Sequence, residues 1–94
     1  MYVVIRSYSG QGASELLDAL VEREDDVKNL ISTVAGFISY SAFRSDSGAQ
    51  TVTVCEEKAG TDESSRRAAE WVKDNIAVTV EPPTITEGST VLHF

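Results

Sequence analysis

Hydrophobic and polar positions change period several times along the chain, and each change marks an element. Tyr2 to Tyr8 is aromatic and β-branched except at Arg6 and Ser7. Ser9-Gly10-Gln11-Gly12 then breaks the run, which predicts a first strand. From Ser14 the pattern turns helical. At about 100° per residue, Leu16, Leu17, Leu20, Val27, Leu30, Ile31 and Val34 share one sector. Ser14 is the expected N-cap, with Glu15 at the positive end of the helix dipole, and Gly36 is the stop. Arg23 and Glu24 fall in the apolar sector, so this helix either bends near Asp25-Asp26 or overhangs its support there.

Two runs of period two follow. Gly36 to Arg44 sets Phe37, Ser39, Ser41 and Phe43 against Ile38, Tyr40, Ala42 and Arg44. Gln50 to Glu57 sets Thr51, Thr53 and Cys55 against Val52, Val54 and Glu56. Between them Ser45-Asp46-Ser47-Gly48-Ala49 is turn chemistry, so the pair is a β-hairpin. Thr61 is the expected cap of a second helix, with Asp62–Arg66 and Glu63–Arg67 as acid-first i,i+4 pairs. Its apolar stripe is Ala68, Ala69, Trp71, Val72 and Ile76. Pro82-Pro83 bars further helix, Ala77 to Val80 reads as extended, Glu87-Gly88 as a turn, and Thr90 to Phe94 as the last strand. The order β-α-β-β-α-β is the split βαβ, ferredoxin-like arrangement: a four-stranded antiparallel sheet with two helices on one face.

The uncovered face needs an explanation. Pairing the hairpin across a five-residue turn puts Ile38, Tyr40, Ala42, Val52 and Val54 beneath the helices. It leaves Phe37, Ser39, Ser41, Phe43, Thr51, Thr53 and Cys55 on the open side. A one-residue slip would exchange these sets. Val4, Arg6 and Tyr8 are assigned to the open side, because a guanidinium beneath apolar helices is costly. Exposed phenylalanines on a sheet call for a cover. A homodimer, with two sheets packed about 10 Å apart into a shared barrel, supplies one. An interface of Phe, Tyr, Ser and Thr also leaves room for a small, partly apolar ligand.

Composition narrows the partners. Ninety-four residues make one domain spanning residues 1–94. Eight Lys and Arg against fifteen Asp and Glu give a net charge of −7, which repels phosphate backbones and anionic lipid, so neither nucleic acid nor membrane is expected as a partner. A single cysteine, Cys55, excludes an internal disulfide and a multi-cysteine zinc site, and no metal or cofactor is expected. The first residues lack the basic segment and long apolar core of a secretory signal, so a cytoplasmic location is expected.

The order of motifs resembles the antibiotic biosynthesis monooxygenase-like family of dimeric α+β barrels. The residues that carry the resemblance begin with Val34-Ala35-Gly36-Phe37-Ile38-Ser39-Tyr40 and the hairpin Phe43-Arg44-Ser45-Asp46-Ser47-Gly48. Next come Val52-Thr53-Val54-Cys55-Glu56-Glu57 leading into Asp62-Glu63-Ser64, then Arg66-Arg67-Ala68-Ala69-Glu70-Trp71 and the late Glu87-Gly88. The resemblance implies a homodimer and a ligand cleft, either between the helices and the sheet or at the sheet interface. In some members it implies oxidation of an electron-rich aromatic by molecular oxygen without metal or flavin. The haem-degrading members need a histidine on the second helix, and residues 62 to 76 contain none, which disfavours that activity. Members with demonstrated chemistry commonly place an aromatic at the end of strand three, where this chain has Cys55-Glu56.

The candidates for chemistry are therefore Tyr40, His93 and Arg6: a phenol to orient or protonate, the only imidazole, and a cation for an anionic group. Candidates for the ligand-binding wall are Tyr8, Phe37, Ser39, Ser41, Phe43, Thr53, Cys55 and Trp71. Simpler accounts stand beside these roles. His93 lies near a chain end, Cys55 reads as an inert strand thiol, and Trp71 reads as core packing.

Overall fold

Four strands and three helices form along the chain in the computed structural model, which describes residues 1–94. They are β1 (Tyr2–Ser9), α1 (Ala13–Glu22), α2 (Glu24–Ser32), β2 (Phe37–Ser45), β3 (Gly48–Cys55), α3 (Lys58–Asn75) and β4 (Thr84–Ser89). The strands make one antiparallel sheet in the order β2-β3-β1-β4, and the helices pack on one face of it. This is the ferredoxin-like α+β fold that the element order predicts. No helix is long and apolar enough to cross a membrane.

The long first helix is two helices. Arg23, at φ −113° and ψ 38°, separates α1 from α2 just ahead of the expected bend. Breaking there takes the charged turn away from the sheet, and Arg23 Nη1 instead donates to Asn75 Oδ1 at 2.7 Å. Leu16 and Leu17 before the break, and Val27, Ile31 and Val34 after it, remain buried. Gly12, not Ser14, occupies the cap position, and α1 starts at Ala13.

The second helix of the sequence reading, α3, starts at Lys58, ahead of Thr61. Thr61 is buried within its first turns, and its Oγ1 donates to the Lys58 carbonyl at 3.0 Å. Gly60 argues against helix on propensity, yet here it allows close packing. A Cβ at this position would sit 2.8 Å from the Ala35 carbonyl oxygen and 2.9 Å from Cys55 Cβ. Glu63 pairs with Arg67 as expected, at 3.0 Å. Arg66 pairs with Glu63 and Glu70, and Asp62 with Lys58. The last strand is Thr84–Ser89, not Thr90–Phe94: Glu87-Gly88 continues it along β1 instead of turning.

The largest correction concerns which residues lie beneath the helices. Ser45 pairs with Gly48, so the hairpin loop is two residues and not five. The pairing is therefore one residue off the expected register, which turns β3 over relative to β2. Ala49, Thr51, Thr53 and Cys55 are buried under the helices, as are Val4, Arg6 and Tyr8 of β1. Val3, Ile5, Val52 and Val54 take the open side, only partly covered. On β2, Tyr40 and Ala42 lie on the helix side and Ser41 and Phe43 on the open side, as expected. A bulge at Ile38 returns Phe37 to the helix side, opposite Cys55. The open face is thus mixed: Val3, Ile5, Val52, Val54 and Phe43 stand among Ser7, Ser41, Gln50 and Thr86.

Candidate functional site

The helix-side surface of β1 and β3 should be the driest place in the molecule, and it holds an arginine. Arg6 is 2% exposed. Its partners are all neutral hydroxyls. Nε donates to Thr51 Oγ1 at 3.2 Å and Nη2 to Thr53 Oγ1 at 2.8 Å, while Nη1 donates to Ser65 Oγ at 2.9 Å and Ser64 Oγ at 3.4 Å. Ser64 passes its own proton to the Thr61 carbonyl at 2.7 Å, so the cage is anchored in α3. Two strands and one helix converge on one guanidinium. Burial lowers its pKa from the ordinary arginine value, yet the group stays a cation.

Two phenols flank this cation. Burial raises the pKa of Tyr8 and of Tyr40, and the Arg6 charge opposes that rise in both. Both therefore stay protonated at neutral pH and can donate. Neither hydroxyl makes a hydrogen bond within the protein, and neither is sealed away as a buried orphan. Both line the same narrow gap.

That gap lies between the sheet and the helices. In it Arg6, Tyr8, Tyr40 and Thr51 face Leu16, Leu20, Ile31 and Trp71 across only about 20 Å³, room for roughly one water. On the β2 side a separate cleft of about 550 Å³ lies between α1, α2 and β2, walled by Leu17, Leu20, Ile31, Phe37 and Tyr40 with Glu24 and Lys28. On the β4 side another, of about 580 Å³, lies between α3 and the 76–83 segment, where Arg6, Tyr8 and Ser65 meet Val72, Ile76 and Ile85. Either side cleft is large enough for a compact ligand.

The structure brings together most of the expected residues, in a different place. Arg6, Tyr8, Tyr40, Thr53 and Trp71 gather at or behind the central gap, and Phe37 and Ser39 line the β2-side cleft. The candidate site thus lies between sheet and helices within one chain, the first of the two places the resemblance implies, and not on the open sheet face. Ser41 and Phe43 lie on that open face, away from it. Cys55 is buried against α3, its thiol pushed up by desolvation. His93 lies in the exposed residues beyond β4 and lines none of the three spaces. Sequence reasoning missed Ser64 and Ser65. The signal was present, because Thr61, Ser64, Ser65, Ala68 and Val72 continue the buried stripe of α3 at helical spacing. Hydroxyls on such a stripe mark a polar object beneath it.

No family model matches the chain. No curated protein matches it either. Solved structures do. A variant of MhuD with two manganese protoporphyrin IX molecules bound per active site aligns at a TM-score of 0.72 and 16% identity, over 100% of this chain and 98% of that one. A Bordetella bronchiseptica protein assigned as an antibiotic biosynthesis monooxygenase aligns at 0.69 and 20% identity, over 97% of both chains. The chain has their fold. ActVA-Orf6, a Streptomyces coelicolor monooxygenase in complex with the ligand nanaomycin D, aligns at 0.63 and 19% identity, over 99% of this chain and 88% of that one. A dimeric ferredoxin-like protein matches as well. The resemblance to the antibiotic biosynthesis monooxygenase-like proteins thus holds for the whole chain at the level of architecture.

Proposed function

We propose that this protein binds a compact, largely apolar aromatic molecule in the cleft beneath its helices, and that it works as a homodimer with sheets face to face. One observation carries the binding reading. A buried cation and two unengaged phenols line a narrow gap flanked on both sides by apolar clefts that share its lining residues. Packing alone would fill such a gap with aliphatic side chains. The dimer draws support from Val3, Ile5, Val52, Val54 and Phe43, which cluster on the bare sheet face, and from the dimeric relative of the same fold.

Trp71, the only tryptophan, lines the central gap and supplies the readout. Titration with 2-naphthol is expected to change its fluorescence saturably. Ala42→Phe, which narrows the β2-side cleft and leaves Trp71 the only tryptophan, should weaken binding at least about tenfold if the ligand enters there. No saturable change in wild type up to the probe's solubility limit would sink the binding reading. Light scattering that gives a monomer mass at micromolar concentration would sink the dimer.

Oxygenation is the second reading, favoured by the monooxygenases that share the fold. In a cleft of this kind an ionised substrate is itself the electron donor to O2. For the probe anthrone, the CH2 carbon becomes a carbonyl, one O2 is consumed, and the second oxygen atom leaves as water. Stoichiometric O2 uptake with anthraquinone formation supports an enzyme. Saturable binding without uptake above the buffer rate leaves a binding protein.

A further inference from the structure

We infer that the ligand is an anion whose charged group lodges against Arg6 and the hydroxyls of Tyr8 and Tyr40. This rests on the cleft being the ligand site and specifies the chemistry it selects. The chain carries fifteen acids, so carboxylates are plentiful. Arg44 pairs with Asp18, Arg66 with Glu63 and Glu70, and Arg67 with Glu63, all in partly or largely exposed places. Arg6, the most buried cation, pairs with none. Glu81 lines the same β4-side cleft and makes no ion pair with it.

Hydroxyl oxygens satisfy the geometry of guanidinium N–H groups, but they do not neutralise the charge. The two tyrosines cannot supply an internal anion at neutral pH, because burial holds both as phenols. A guanidinium has five N–H donors, and four contacts are made to protein hydroxyls. One donor and two phenolic O–H groups remain for a ligand. Together they suit a planar anion, such as an aromatic carboxylate or an ionised phenol, whose ring occupies the apolar wall around Trp71. The other cations lining the side clefts, Lys28 and Lys73, are exposed and solvated, so a preference for a desolvated anion centres on Arg6.

The test compares 2-naphthoate with its uncharged counterpart 2-naphthamide by Trp71 fluorescence and calorimetry, in wild type, Arg6→Gln and Arg6→Lys. Wild type is expected to prefer the anion by at least about tenfold, the size of one charged hydrogen bond in a dry site. Arg6→Gln should erase that preference while keeping naphthamide binding, and Arg6→Lys should retain part of it. Equal binding of both probes by wild type overturns the inference and leaves the ligand site standing. A preference that survives in folded Arg6→Gln also overturns it, since the anion then sits elsewhere. Binding of neither probe removes the binding reading and this inference together. The wild-type comparison decides the matter even if Arg6→Gln does not fold.

Discussion

Replacing Arg6 by methionine, together with Thr51 and Thr53 by valine so that neither buried hydroxyl loses its partner, separates a ligand-binding arginine from a structural brace. Methionine has similar length and no charge, so it fills the same space beneath α3. The arginine makes two short hydrogen bonds, at 2.8 and 2.9 Å, and two long ones, at 3.2 and 3.4 Å. At about 1.5–3 kcal/mol for each good bond to a charged donor, the short pair contributes about 3–6 kcal/mol and the long pair little. Against this stand a desolvation cost of several kcal/mol for an ion without a counter-ion and about 1.5–3 kcal/mol gained by burying the methionine. These terms nearly cancel. The Arg6→Met, Thr51→Val, Thr53→Val protein is therefore expected to stay within about 1 kcal/mol of wild type, a shift of no more than about 4–8 °C in Tm for a domain of this size. Arg6→Met alone should lose more, because two buried hydroxyls are left unpaired. Anion binding should meanwhile be lost. The assay is thermal and urea unfolding at one fixed protomer concentration, beside the naphthoate titration. A loss of about 3 kcal/mol or more in the triple variant, typical of breaking a buried paired charge, would refute the reasoning and make Arg6 a brace.

Tyr8→Phe and Tyr40→Phe remove hydroxyls that bond nothing in the protein, so each should cost less than about 0.5 kcal/mol in urea unfolding while weakening naphthoate binding about fivefold. Gly48 adopts φ 141°, and a Cβ there would lie 2.3 Å from the Tyr8 carbonyl oxygen; Gly48→Ala should destabilise by about 2 kcal/mol or more, read from the urea midpoint. Arg66 and Arg67 hold the Glu63 carboxyl at about 2 against an ordinary value of 4.5. Its contribution is fully present above pH 4.5 and fades as pH falls toward 2, so wild type should lose more Tm across that window than Glu63→Gln, and parallel curves would count against the pairing. Phe43→Glu places a charge on the open sheet face, and light scattering should show the dimer mass halved at micromolar concentration.

The order of elements was legible because it depends on period, and period survives local error. Facing was not legible in the same way, because it depends on phase. Reading Ser45 to Ala49 as a five-residue turn pairs Arg44 with Gln50, whereas the two-residue loop pairs it with Ala49. That single step sends Thr51, Thr53 and Cys55 under the helices and Val52 and Val54 to the outside. The bulge at Ile38 is equally invisible in an alternating run, and it alone brings Phe37 into the cleft. Arg6 was misplaced for a different reason. The rule that a lone charge avoids the core is sound on average, and here Thr51, Thr53, Ser64 and Ser65 lift most of its cost. The order of elements was right, though the last strand was misplaced and the first helix is two. The facing went wrong through loop length and a bulge, and at Arg6 because a hydroxyl cage overrides the rule.

That override has a consequence for assembly. A domain of 94 residues buries little surface, and its interior here is partly given over to an arginine and its hydroxyl cage. Aliphatic residues at Thr51, Thr53, Ser64 and Ser65 would make a drier, better-packed core. The valines and the isoleucine that such a core would use stand instead on the open face, at Val3, Ile5, Val52 and Val54. At about 25 cal/mol per Å² of apolar area, burying that face against a second copy restores cohesion that the polar interior forgoes. In the proposed arrangement, ligand site and dimer interface occupy opposite faces of one sheet, coupled through β1 and β3, whose residues alternate between the two. A variant that loosens the dimer should therefore weaken anion binding without touching the cleft. Phe43→Glu, which contacts no ligand in this scheme, should raise the naphthoate Kd in step with dissociation of the dimer. An unchanged Kd in a fully monomeric Phe43→Glu protein would show that one chain holds the site unaided.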